Sequence, residues 1–231
     1  MRNYENPEEA LREILRDIQE RGVWLHTGRM QDKNTEGDDN YSTRELINYS
    51  FCIVNVNDIN KFAKKVKCSK KWANAEFNER VSPEFINPGL AWEHRDKVWF
   101  EYLEKNNGKF AYTYNNRIRT QLNNVINELG KNQNTRQGII SIFEPTKDSD
   151  NIGTDRIPCS MYYQFIFRDN KLHIIYNMRS CDYNLHFRND MYLAIKLLNH
   201  VAEKTKLEVG NFYMNIGSLH IYKYDWDKET F

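Results

Sequence analysis

"KLHIIYNMRSCDYNLHFRNDMYLAIKLLNHVAEKT", Lys171 to Thr205, changes its period halfway along. Up to Arg179 it alternates like a strand with one buried face, and from Met191 onward Leu193, Leu197, Leu198, Val201 and Ala202 recur at the spacing of a core-facing helix. At the junction stand Arg179, Ser180, Asp182, Arg188 and Asp190, which a strand end and the turn after it would gather as donors and acceptors at a cleft rim. A phosphate suits Arg179, because guanidinium offers planar bidentate donors and Ser180 adds a hydroxyl. An Arg–Asp lattice that only holds the turn reads equally well from this stretch alone.

Working outward, "CSMYYQFIF" and "KLHIIYNMR" flank "RDN", a hairpin signal, and "NFYMNIGSLHIYKY" after the helix is again strand-like. Nearer the start, Ala10, Leu11, Ile14, Leu15 and Ile18 share one face of a helix over residues 7–21, with Pro7 near its beginning and Gly22 past its end. "RELINYSFCIVNV" reads as a strand after the polar "NTEGDDN", which lacks the ligand spacing of a calcium loop. Six lysines within "KFAKKVKCSKKW" suit the solvated side of a helix, "VSPEFINPGLAW" an exposed loop, "RIRTQLNNVINEL" a helix and "GIISIFEP" a short buried strand. The order is α+β with strands dominating the second half, and without internal repeats.

The 231 residues suffice for one substantial domain, and no composition break demands a second. Lysine plus arginine number 33 against 32 acidic residues, so a net charge of +1 gives no reason to bind nucleic-acid polymer or an acidic membrane, while a small anionic ligand remains compatible. Cys52, Cys68, Cys159 and Cys181 have no metal-ligand spacing and read as free thiols of a reducing compartment. The charged N-terminus has no signal-peptide core and no apolar run is long enough for a bilayer, which points to the cytoplasm, or a host's cytoplasm for a phage protein.

Cys159 follows Pro158 at the start of an apolar strand and lies three residues beyond Arg156. Nearby cations turn a thiol into a nucleophile by lowering its pKa, yet a cysteine in a strand also serves as packing, so context must decide. That context is the succession "IPCSMYYQF", "NMRSCD", "FRND" and "GSLHIY", which in order and separation resembles the thymidylate synthase superfamily, and in the wording of "FRND" and "GSLHIY" the phage deoxycytidylate hydroxymethylases. The resemblance is strongest from Tyr114 to Tyr222.

It implies a single thymidylate synthase-like α+β domain over residues 1–231, a central mixed or antiparallel sheet flanked by helices, and a homodimer. It makes Cys159 the nucleophile that adds to C6 of a pyrimidine nucleoside monophosphate. Arg179 and Ser180 would hold the 5′-phosphate with Arg136 reaching across the dimer; Asp182 belongs to the same motif, and His220 and Tyr222 would contact the sugar. Tyr114 falls beside the reacting ring, Trp99 near where the pterin stacks, and Glu76 is the candidate general acid/base with Glu79 as competitor. Thymidylate synthases carry asparagine where this chain has Asp190. Cytosine offers an N4 donor and an N3 acceptor, so a carboxylate there accepts from N4 and, when protonated, donates to N3, which favours dCMP.

The implied activity is one-carbon transfer from 5,10-methylenetetrahydrofolate to C5. Water on the transferred methylene gives 5-hydroxymethyl-dCMP, the reading preferred; hydride gives the methyl product, and a nucleotide-binding homologue without catalysis is the third possibility. Departures accompany the match: Gln137 replaces a second arginine, Ser160 a histidine, His186 a glycine near the folate, and His26 a basic residue for which Arg29 would substitute. The sequence also ends at Phe231, soon after Tyr222, where the resemblance implies a further segment and a tail closing over folate, so a shortened C-terminus is expected to leave the cleft more open to water.

Overall fold

The computed structural model describes residues 1–54 and 56–226. The chain begins with β1 (Arg2–Tyr4), α1 (Pro7–Arg21), β2 (Val23–Leu25), the small hairpin β3 (Arg29–Met30) and β4 (Lys33–Asn34), and the long β5 (Thr43–Ile53). Helices α2 (Ile59–Val66), α3 (Lys70–Val81), α4 (Asp96–Trp99) and α5 (Tyr114–Lys131) follow. The second half holds β6 (Ile139–Ser141), α6 (Pro145–Asp148), β7 (Ser160–Arg168), β8 (Lys171–Asp182), α7 (Arg188–Thr205), β9 (Glu208–Tyr222) and α8 (Lys223–Trp226).

One mixed sheet of seven strands runs β1-β5-β9-β8-β7-β6, with β2 also paired to β5. At its centre β8 and β9 are parallel, which requires a crossover, and α7 provides it. The period change in Lys171–Thr205 is therefore the strand and helix of this crossover, joined by a π-helical turn at Tyr183–Phe187. The stripe Leu193, Leu197, Leu198, Val201 and Ala202 is buried as expected, but Met191, Ala194 and Ile195 are buried too, so α7 is enclosed on most sides.

The β7–β8 hairpin turns at Asp169 and Asn170, both with positive φ (53° and 60°), as a two-residue turn matching strand twist requires. Residues facing α7, among them Phe165, Ile174, Tyr176, Phe212 and Met214, are fully buried. The alternate residues Gln164, His173, Ile175, Asn177, Tyr213 and Asn215 stay partly exposed on the opposite face.

Helix α1 has the bounds read from its sequence, and Asn6 caps it by accepting from the Glu9 amide at 3.0 Å. Gly22 serves close approach, since a Cβ there would lie 2.4 Å from the Ile18 carbonyl oxygen. The lysine-rich stretch is α2 and the start of α3, burying Phe62, Ala63, Val66 and Trp72 and leaving its lysines outward.

Three local expectations need correction. "GIISIFEP" contributes only a three-residue strand with Ile139 exposed, because it lies at the sheet edge. "VSPEFINPGLAW" is a loop, but Ile86 to Gly89 are half-buried and Ala91 fully so, since polar side chains of α3 and α5 draw the loop inward. The β8 strand continues past Ser180 to Asp182.

Candidate active site

At the end of the sheet where β8 and β9 finish and β7 begins, a cleft of about 490 Å³ opens between α3, the 81–95 loop, the Trp99–Tyr114 region and the β3–β4 hairpin. Pairing register gathers its floor: Ser180 lies opposite Ser218 and Asp182 opposite His220 on β8 and β9, and Thr43 of β5 opposite Tyr222. Cys159, Arg179, Ser180, Asp182, Asp190, His220, Tyr222, Tyr114, Glu76, Trp99 and Arg29 all line this one cleft, as do Glu79 and His186.

Three residues singled out in the sequence lie elsewhere. Arg136 lines a second concavity with Gln137 and Arg168 near the sheet edge. Arg188 turns from the cleft and donates to the Val66 carbonyl at 3.3 Å, where α2 ends, so the rim of charges drawn from the sequence loses this member. His26 is likewise outside the cleft lining, its Nε2 3.0 Å from the Thr35 carbonyl oxygen.

Cys159 sits one residue before β7 rather than within a strand, held by the Arg179 amide donating to its carbonyl at 2.9 Å. Burial pushes its thiol above the ordinary range, while Arg179, whose Nη2 is 3.8 Å from Sγ, pulls the other way, as do Arg156 and Gln31. Arg179 also donates from Nε to Pro158 O at 3.0 Å and from Nη2 to Ile157 O at 3.1 Å, which ties the loop before Cys159 to β8.

Asp182 combines two settings. One carboxylate oxygen accepts from the amides of Asn184 (2.9 Å) and Leu185 (3.1 Å), nucleating the π-helical turn, yet the residue lines the cleft and burial raises its pKa to about 6. The turn sets Asp190 on the first turn of α7, where burial pushes its carboxyl up to about 6 against the opposing Arg80 and Arg95. The histidines move oppositely. Burial lowers His220 to about 4 and His186 to about 3, so both are neutral at pH 7. His186 rests against the Trp99 ring, 5.7 Å between centroids.

The two glutamates differ in what they hold. Glu79 accepts from the amides of Leu90 (2.7 Å) and Ala91 (2.8 Å), and Gly89, at φ +73°, leaves room for the carboxylate, since a Cβ there would lie 2.3 Å from it. Glu76 instead pairs with Arg80, 2.8 Å from Nε, and Arg80 stands 3.8 Å over the Tyr114 ring. Burial raises Tyr114 well above the usual phenol value. Its hydroxyl bonds Ser160 Oγ at 2.9 Å, and Ser160 in turn bonds Tyr176.

Sequence reasoning passed over Gln31, Arg80 and Arg95. Gln31 donates to Cys159 Sγ at 3.4 Å and accepts from Arg179 at 3.4 Å, from a position with φ 56°. No local signal marks it, as its neighbours are 128 and 148 residues away. Arg80 was detectable only as the i+4 partner of Glu76. Arg95 donates to Leu185 O at 3.0 Å and stands 4.9 Å over the Trp72 ring.

Around Trp99 the wall is aromatic and rich in donors. Trp72 stacks on Trp99 at 5.9 Å, and the Arg156 guanidinium lies 3.8 Å over Tyr102 and 6.0 Å from Trp99. Trp72 Nε1, Trp99 Nε1, Arg95 Nη1 and Arg156 Nε are buried without hydrogen-bond partners among the described residues. Buried donors are ordinarily satisfied, so this wall is suited to a flat ligand with several acceptor atoms, as a reduced pterin is.

A family model for thymidylate synthase matches residues 42–229, and the chain belongs to that family. It is 33% identical over 149 residues to "Putative thymidylate synthase" of Methanococcoides burtonii, covering 60% of this chain and 66% of that protein. It is 35% identical over 104 residues to the deoxycytidylate 5-hydroxymethyltransferase of Enterobacteria phage T4, covering 41% and 42% respectively. The matches thus span less than two thirds of these relatives' lengths. In fold the chain is similar to the thymidylate synthase of T4 phage, with a TM-score of 0.71 at 20% identity over 94% of this chain and 77% of that one.

Proposed function

We propose that this protein is a one-carbon transferase acting on C5 of a pyrimidine nucleoside monophosphate, converting dCMP to 5-hydroxymethyl-dCMP with 5,10-methylenetetrahydrofolate. The observation that carries this reading is Asp190, a half-protonated carboxyl near pH 6 in the same cleft as Cys159. It can accept from cytosine N4 and, in its neutral form, donate to N3, a pattern opposite to the uracil edge.

In this mechanism Cys159 adds as thiolate to C6, and the C5–C6 electron pair turns C5 into a carbon nucleophile stabilised through the base edge held by Asp190. Arg179 and Ser180 bind the phosphate, with Arg29 at the rim, and His220, neutral, accepts from the sugar hydroxyl with Tyr222 beside it. Asp182 shapes this end of the site through the turn it caps. Glu76 manages protons at the ring, since Glu79 is committed to the loop amides. Loss of the C5 proton, addition of water at the transferred carbon and departure of the thiolate from C6 give the hydroxymethyl product and restore the aromatic ring. Methylenetetrahydrofolate, when bound, supplies the one-carbon unit, and Trp99, Trp72, His186 and Arg156 would hold it.

Arg136 lies outside the cleft that contains Cys159, and one sheet face carries half-exposed residues such as Tyr213 and Ile175. Both features support a homodimer in which Arg136 serves the phosphate of a second copy, within the cytoplasm of the producing or host cell.

The test is tritium release from C5-labelled dCMP with and without methylenetetrahydrofolate, followed by nucleotide mass. Folate-dependent release with a hydroxymethyl gain is expected. A methyl gain would replace the product assignment, and nucleotide binding without release would point to a non-catalytic homologue. Cys159→Ala should bind dCMP but release no tritium.

A further inference from the structure

From the cleft a line of hydroxyls runs into the core: Tyr114 to Ser160 at 2.9 Å, then Ser160 to Tyr176. Ser160 and Tyr176 are fully buried, and Tyr163 stacks on Tyr176 with ring centroids 4.4 Å apart. Arg80 covers the other side of Tyr114 at 3.8 Å. Among the described residues the Ser160 and Tyr176 hydroxyls bond neutral hydroxyls, with the buried Tyr163 hydroxyl also in hydrogen-bond contact with both.

We propose that Ser160 and Tyr176 are positioning residues that fix the direction and rotamer of the Tyr114 hydroxyl beside the reacting pyrimidine. This rests on the reading of Tyr114 as a ring-side catalytic group. A phenol in a cleft without such a tether rotates its O–H freely and loses much of its value to a reacting atom, because catalysis by a hydrogen bond depends on pre-organised geometry. The line terminates among core tyrosines, so it cannot carry a proton away to solvent, and its effect is orientation.

Ser160 meets the Tyr114 hydroxyl on one side and the hydroxyl of Tyr176, which projects from β8, on the other. The two residues are 16 apart in sequence and meet because β7 and β8 pair antiparallel, with Ser160 opposite Met178.

Tyr176→Phe keeps the stacked ring and removes only the hydroxyl. In the tritium-release assay it should lower kcat by about tenfold or more while the KM for dCMP stays within about twofold. Ser160→Ala should do the same, and the double variant should be no slower than Ser160→Ala alone, because both changes break one line. Losses that multiply, or a Tyr176→Phe variant with full turnover, would overturn the proposal. A readout independent of turnover is the Tyr114 Cζ resonance in protein carrying 13C-tyrosine, assigned with Tyr114→Phe. It should move in both single variants, and an unmoved resonance would refute the tether even if the wild-type protein releases no tritium. Wild-type silence together with a moved resonance would instead sink the catalytic reading of Tyr114 and leave the tether standing.

Discussion

On the proposed reading, the Asp190 side chain is what separates dCMP from dUMP. Asp190→Asn should shift preference from cytosine toward uracil, with the ratio of kcat/KM values moving by about 10- to 100-fold, the amount one well-made base-edge pair discriminates. Initial rates with dCMP and dUMP measure this. The same carboxyl gives a pH signature. Its pKa is raised to about 6 in the folded protein, so the folded chain binds a proton more tightly than the unfolded one, and stability falls as pH rises from the ordinary carboxyl range through 6. Asp190→Asn should therefore melt higher than wild type at pH 8, with the gap closing below about pH 4. Asp190, Cys159 and Arg179 were legible in the sequence because each stands inside a short motif. Gln31 was not, since its partners are brought to it only by folding of the β3–β4 hairpin.

Among the elements, the loop between α3 and α5 deserves the closest test, because side chains at the ends of both helices hold it. Asn115 accepts from the Ile86 amide at 2.9 Å and donates to the carbonyls of Glu79, Ser82 and Glu84. Asn115→Ala should cost roughly 1–3 kcal/mol in denaturant unfolding by leaving these buried groups unpaired. Gly89→Ala should also destabilise in denaturant unfolding, through both its positive φ and the Glu79 carboxylate it would meet. Periodicity exposed α1, α5 and the β7–β8 hairpin because each buries one repeated face, and α7 because its apolar stripe shows even though the helix is enclosed on most sides. The inward draw of the loop left no periodic mark, as it depends on single polar side chains from distant helix positions.

Across the whole molecule, the crossover β8-α7-β9 brings the charged junction, the Cys159 loop and the strand ends to one cleft. The period change in one segment announced strand and helix, but not that they flank a parallel pair. Parallel pairing is set by the return of β9 beside β8, a long-range event without local code. The second concavity with Arg136 gives the assembly its test. Mixing Arg136→Ala with Cys159→Ala, each inactive alone, should restore roughly a quarter of wild-type turnover after subunit exchange if each site borrows an arginine from a second copy. A mixture that stays inactive would show that Arg136 does not serve a neighbouring site.

The five tryptophans form two groups that light would tell apart. Trp72, Trp92 and Trp99 line the cleft, whereas Trp24 and Trp226 meet edge-on at 5.3 Å beneath Arg44, where α8 closes against β2. In a Trp24→Phe, Trp226→Phe variant all remaining indole emission would come from the cleft, so fluorescence quenching would record the entry of each proposed ligand, nucleotide and pterin, without any label attached.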